Sequence, residues 1–143
     1  MLSLAASAVC LANPHMGTWM LNEAKSKSAA GAAKNQTVIY AAAGDQIKVT
    51  VDGKDADGKS THNEWNGKFD GKDYPVTGDP TSDMRAYKES GANTLEMTIK
   101  KDGKVTVTGK IVVAEDGKSR TVTTSGTDAK GAKVDGTSVY DKG

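Results

Sequence analysis

Apolar and polar side chains alternate along most of this chain. Ile47, Val49 and Val51 share one parity, with Lys48 and Thr50 on the other. Leu95, Met97 and Ile99 alternate in the same way with Glu96, Thr98 and Lys100, and Val105, Val107, Ile111 and Val113 with Thr106, Thr108 and Lys110. A period of two is that of a strand with one buried and one wet face. The pattern predicts strands near 17–22, 36–43, 46–52, 60–69, 72–77, 83–89, 94–101, 104–114, 119–126 and 133–141. Asp-Gly-Lys punctuates them at Asp52-Gly53-Lys54, Asp57-Gly58-Lys59, Asp70-Gly71-Lys72, Asp102-Gly103-Lys104 and Asp116-Gly117-Lys118. Each is expected to be a turn, since Asp tolerates the left-handed region and Gly takes positive φ without steric cost. Short links make sequence neighbours pair as an antiparallel meander, and closure removes the two edges an open sheet would expose. The expected fold is therefore all-β, an antiparallel up-and-down barrel of about eight to ten strands. The one long link, Glu23 to Asn35, is rich in Ala and Lys and is expected to hold a short helix or an ordered loop, with Gly31 limiting the helix. No other stretch sustains a 3.6-residue apolar period, which excludes βαβ architectures.

The 143 residues suit one domain, taken as residues 13–143. Residues 1–12 differ in character. Leu2, Leu4, Ala5, Ala6, Ala8, Val9 and Leu11 make an apolar run that closes on Cys10-Leu11-Ala12, a small-x-small pattern before Asn13. That matches the apolar region and cleavage site of a secretory signal peptide without its basic start, or else an N-terminal arm. It is too short to span a bilayer. Periplasmic or secreted location is the expectation, and if Cys10 leaves with the leader the mature chain has no thiol chemistry. Net charge is +1, from 19 Lys and Arg against 18 Asp and Glu, interleaved and without a basic block. Such a surface offers no field to attract nucleic acid.

Gly17-Thr18-Trp19-Met20-Leu21 opens the first strand and Val139-Tyr140-Asp141-Lys142 closes the last. The pairing is similar to the calycin superfamily, whose lipocalins and intracellular fatty-acid-binding proteins start on a Gly-x-Trp strand, the latter ending near Val-Tyr-Glu-Lys. The stretch Gly17 to Lys27 also resembles the opening of small exported bacterial lipocalin-like proteins. The resemblance implies a barrel with an interior cavity for a small apolar or amphipathic molecule. It further implies a ligand role for Tyr140, but the arginine that grips a fatty-acid carboxylate two residues earlier is replaced here by Ser138.

Parity selects the other candidates. Arg120 shares the face of Val122, and Arg85 that of Tyr87; an inward arginine can hold a carboxylate or phosphate bidentately. The competing expectation is that one arginine stacks on Trp19, as a basic residue does in lipocalins, while the other lies on the surface. Trp65, Phe69, Tyr87 and Tyr140 are candidate cavity walls or plain core. Gly67, Gly109 and Gly136 fall on the inward parity, where a missing side chain leaves space or permits a bend. Gly53 to Glu64 partly fits a calcium loop through Asp55, Asp57, Gly58 and Glu64, yet Gly53 occupies the first ligand position, and an Asp-rich hairpin is the expectation.

Little points to catalysis. His15 and His62 are the only histidines, His62 is expected to face solvent, and nucleophile-elbow, zinc and phosphate-loop motifs are missing. The expected function is non-catalytic binding of a small hydrophobic or amphipathic molecule inside the barrel, by Trp65, Phe69, Arg85, Tyr87, Arg120, Ser138 and Tyr140, with no cofactor. Two rivals stand beside it. One is a structural protein whose arm, Leu2 to Leu11, self-associates by strand addition. The other is a barrel enzyme acting on a hydrophobic substrate.

Overall fold

The computed structural model describes residues 13–28, 33–55, 57–127, 131 and 133–143. The expected signal segment, residues 1–12, lies outside them. Ten strands follow in chain order: β1 (Gly17–Ser28), β2 (Lys34–Ala43), β3 (Gln46–Lys54), β4 (Ser60–Gly67), β5 (Tyr74–Thr77), β6 (Met84–Gly91), β7 (Thr94–Lys101), β8 (Lys104–Val113), β9 (Ser119–Gly126) and β10 (Gly136–Lys142). Each pairs antiparallel with its sequence neighbours, and β1 pairs with both β2 and β10, so the sheet closes into an up-and-down barrel. No helix among the described residues is long and apolar enough to cross a membrane.

Two local expectations need correction. The first half of the Glu23 to Asn35 link is strand, because β1 runs on to Ser28. Its register against β10 shifts between Asn22 and Lys27. Asn22 holds this irregular stretch together: its Oδ1 accepts from the Lys25 N–H (3.3 Å) and its carbonyl from the Ser26 hydroxyl (2.7 Å). The Asp-Gly pairs of four motifs lie in links between strands, but Asp52-Gly53-Lys54 belongs to β3, with Gly53 opposite Thr61 of β4. Glycine is required there for close approach, since a Cβ would run into the Lys34 carbonyl oxygen beside the β2 irregularity. The β7–β8 turn shows the expected chemistry: Asp102 and Gly103 both take positive φ, 53° and 81°, as a tight two-residue hairpin demands.

One parity of every long strand faces in. Val38 and Tyr40, Val49 and Val51, Trp65, Tyr87, Leu95, Val107, Ile111 and Val113, and Tyr140 are all buried together with Trp19. Removing each such side chain from water contributes roughly 1.5–3 kcal/mol. The packing is uneven along the barrel. At one end, the residues before β1 bring His15 against Phe69, ring centroids 6.2 Å apart. Trp65 lies parallel to Phe69 (6.4 Å, 20°) and edge-on to Tyr74 and Tyr87 (5.6 and 4.7 Å). These rings close that end. Gly67 belongs to the same plug: the Tyr74 and Trp65 rings fill the place of its absent side chain, and at Gly109 the Thr123 carbonyl and the Met97 side chain crowd that place.

Candidate functional site

Above the aromatic plug the barrel holds a cavity of about 400 Å³ that opens toward the other end. That volume falls within the range of small-molecule sites. Its walls come from many strands: Leu21 of β1, Val38 and Tyr40 of β2, Val51 of β3, Ile99 of β7, Val107 and Ile111 of β8 and Val122 of β9. Period-two alternation delivers these side chains to one interior, and β-branched residues dominate because they suit a pleated, half-buried surface. The rim includes Gly78–Thr81, between β5 and β6, and Asp55, between β3 and β4.

Five of the seven residues proposed from sequence line this cavity: Arg85, Tyr87, Arg120, Ser138 and Tyr140. Gly136 lines it too. Trp65 and Phe69 are packed behind Tyr87 in the plug instead. The Trp65 indole N–H is used there, donating to the Arg85 carbonyl (2.8 Å). Tyr40 and Asn63 belong to the site but were not among the seven, although both fall on the inward parity of their strands.

The two arginines are the unusual component. Arg120 does stack on Trp19, its guanidinium carbon 5.3 Å from the ring, and it also lies 5.2 Å from Tyr40 and 4.6 Å from Tyr140. Its Nη1 donates to the Tyr40 hydroxyl (2.9 Å). Lys142 covers Trp19 as well, at 4.6 Å. Arg85 is not on the surface, as the stacking alternative required: it is 5% exposed, and Arg120 3%. Arg85 Nη1 donates to the Tyr87 hydroxyl (3.1 Å) and Nη2 to Asn63 Oδ1 (3.0 Å). Among the described residues no carboxylate forms an ion pair with either guanidinium.

The Tyr87 and Tyr140 phenols stay protonated at neutral pH. Burial pushes Tyr140 up to about 12 and raises Tyr87 as well, in each case against the opposing pull of a nearby arginine. Tyr140 donates its O–H to the Asn35 carbonyl (2.8 Å), tying β10 to β2 across the interior.

The calcium-loop fit dissolves into a hairpin. Asp55 Oδ1 accepts from the N–H groups of Asp57 (2.9 Å) and Lys59 (3.0 Å), while Glu64 lies on the outer face beside His62 (3.1 Å) and Lys48 (3.3 Å). His62 is exposed, as expected, with Nδ1 2.6 Å from Asp52 Oδ1.

No protein-family model matches the chain, and no curated protein matches it. Among solved structures it is similar to a redesigned β-barrel, mFAP1, bound to DFHBI. The two share 15% identity over 92% of this chain and 97% of that one, with a TM-score of 0.51. At that identity the likeness concerns the fold alone, a β-barrel in both.

Proposed function

We propose that this protein binds a small apolar or amphipathic molecule in the barrel interior and performs no chemistry on it. The observation that carries the proposal is the cavity of about 400 Å³ between the aromatic plug and the open end, walled by Leu21, Val38, Val51, Ile99, Val107 and Ile111. A concave apolar surface with a few convergent polar groups is the usual form of a ligand site. The like-folded mFAP1 binds DFHBI, which supports assigning a ligand to the same architecture here. Burial keeps the Tyr87 and Tyr140 phenols protonated at neutral pH, which suits holding a ligand better than moving its protons. We further propose a periplasmic or secreted location, on the apolar run from Leu2 to Leu11. Fractionation of a bacterial host, with intact mass of the exported chain, tests it: retention of the full chain in the cytoplasm would count against export.

The binding test uses N-phenyl-1-naphthylamine, a neutral probe whose emission rises in apolar surroundings. Saturable enhancement at one probe per chain is expected. Ser138→Trp, which projects a ring into the cavity from β10, should abolish the enhancement while the far-ultraviolet strand signal persists. Failure of the wild-type protein to bind this probe saturably would remove the proposal.

A further inference from the structure

Hydrogen-bond donors outnumber acceptors around the polar layer of the cavity. Each guanidinium carries five N–H donors. Arg85 uses two, on Tyr87 and Asn63, and Arg120 uses one, on Tyr40. The Nε of each is buried without a partner. Tyr40 and Tyr87 accept from the arginines, and among the described residues their own hydroxyl protons have no acceptor. Asn63 Oδ1 and the Asn35 carbonyl each already accept one hydrogen bond.

Charge is unbalanced in the same direction. Two cations at 5% and 3% exposure face one cavity. Burying a charge without a counter-charge costs several kcal/mol even after relaxation. The aromatic faces of Trp19, Tyr40 and Tyr140 offset part of that cost at Arg120. Arg85 has only Tyr87, at 6.0 Å. The carboxylates at the rim form no ion pair with either arginine, and each is held by other hydrogen-bond partners. Glu23 pairs with Lys34 at 2.7 Å, Asp55 accepts from the Asp57 and Lys59 amides, and Asp79 accepts from Thr81 and Ser82.

We infer that the ligand is anionic, an amphipathic molecule whose carboxylate, sulfonate or phosphate group lies in the polar layer against Arg120 and Arg85. The inference rests on the binding proposal above and names the ligand's chemical class. An oxyanion only accepts hydrogen bonds, and it carries the charge the layer lacks. The Arg120 guanidinium, whose Nη1 is held by the Tyr40 hydroxyl, takes the anion directly. Tyr40 and Tyr87 complete the shell with their hydroxyl protons. Arg85, anchored by Tyr87 and Asn63, contributes the second positive charge. The apolar part of the ligand then lies along Leu21, Val51, Ile99 and Val107 toward the mouth.

The test compares two probes that differ by one group: 8-anilinonaphthalene-1-sulfonate and its uncharged parent, N-phenyl-1-naphthylamine. A charged hydrogen bond in a desolvated site corresponds to roughly 10- to 100-fold in affinity, so the sulfonate should bind tighter by about that factor. Arg120→Met should erase the difference by weakening the sulfonate, and a retained far-ultraviolet strand signal shows that the variant has folded. Arg85→Met, outside the ring clamp, should reduce the difference by a smaller factor and serves if Arg120→Met does not fold. Equal affinity of the wild type for both probes, or an unchanged ratio in the arginine variants, overturns the anion inference while the cavity stands. Loss of both probes in the wild type overturns the binding proposal itself.

Discussion

His15 shows how one side chain can report on the closed end of the barrel. It is 1% exposed, both ring nitrogens are buried without partners, and its pKa is lowered to about 4, first by burial and then by Arg120 and Lys142. The unfolded chain, with an ordinary value of 6.5, binds more protons than the folded one between these limits. The contribution of His15 is therefore complete above about pH 6.5, declines as pH falls toward 4 and levels off below. The interval, 6.5 less 4, corresponds to on the order of 3 kcal/mol. Urea melts from pH 7 to pH 4 should show a steeper loss in the wild type than in His15→Leu, and parallel losses would contradict this account. His62 has the opposite sign: hydrogen bonds to Asp52 and Glu64 raise it, so its small exposed contribution is lost as pH rises through its folded value. Gly67 makes a second prediction at this scale. A Cβ there meets the Tyr74 and Trp65 rings, so Gly67→Ala should lower stability by about 1–3 kcal/mol in denaturant melts.

Among the elements, β5 is the weakest tie in the ring. It pairs with β4 at only two positions and with β6 at only two, whereas β3 pairs with β4 over eight. Fewer ladder bonds mean a lower cost of local opening. Amides of β5 should exchange with deuterium faster than those of β3 or β8, and equal protection would contradict this ranking. All ten strands were legible because alternation reports one wet and one buried face. The outer half of β1 was not. Glu23-Ala24-Lys25-Ser26-Lys27 carries no apolar alternation, and its course is set by the side chain and carbonyl of Asn22. Asp52-Gly53 misled for a different reason, as the same dipeptide serves a turn or a close approach between backbones. Its spacing of five residues from Asp57 was the available signal, since two turns so near leave no strand between them.

For the molecule as a whole, parity identified which arginines and tyrosines turn inward but not how much of the interior they fill. Void volume depends on ring orientation, and the plug formed by Trp65 and Phe69 draws those two residues away from the wall they were expected to form. The cavity makes stability depend on occupancy. Saturation with N-phenyl-1-naphthylamine at about one hundred times its dissociation constant should add about 2.7 kcal/mol. For a domain of this size that is a rise of about 5–10 °C in melting temperature, and an unchanged melt would show that the probe does not bind the folded chain in preference to the unfolded one. The pairing of β1 with β10 has a separate consequence. Trp19 lies opposite Lys142, the Gly143 N–H donates to the Thr18 carbonyl (2.8 Å), and Lys142 reaches the Met16 carbonyl (2.7 Å). The polypeptide is thus a hoop interrupted at one point, and the interruption can be relocated. A permuted chain beginning at Gly58, with a short glycine bridge from Gly143 to Asn13 and its new end at Asp57, retains every ladder and should refold to the same hoop.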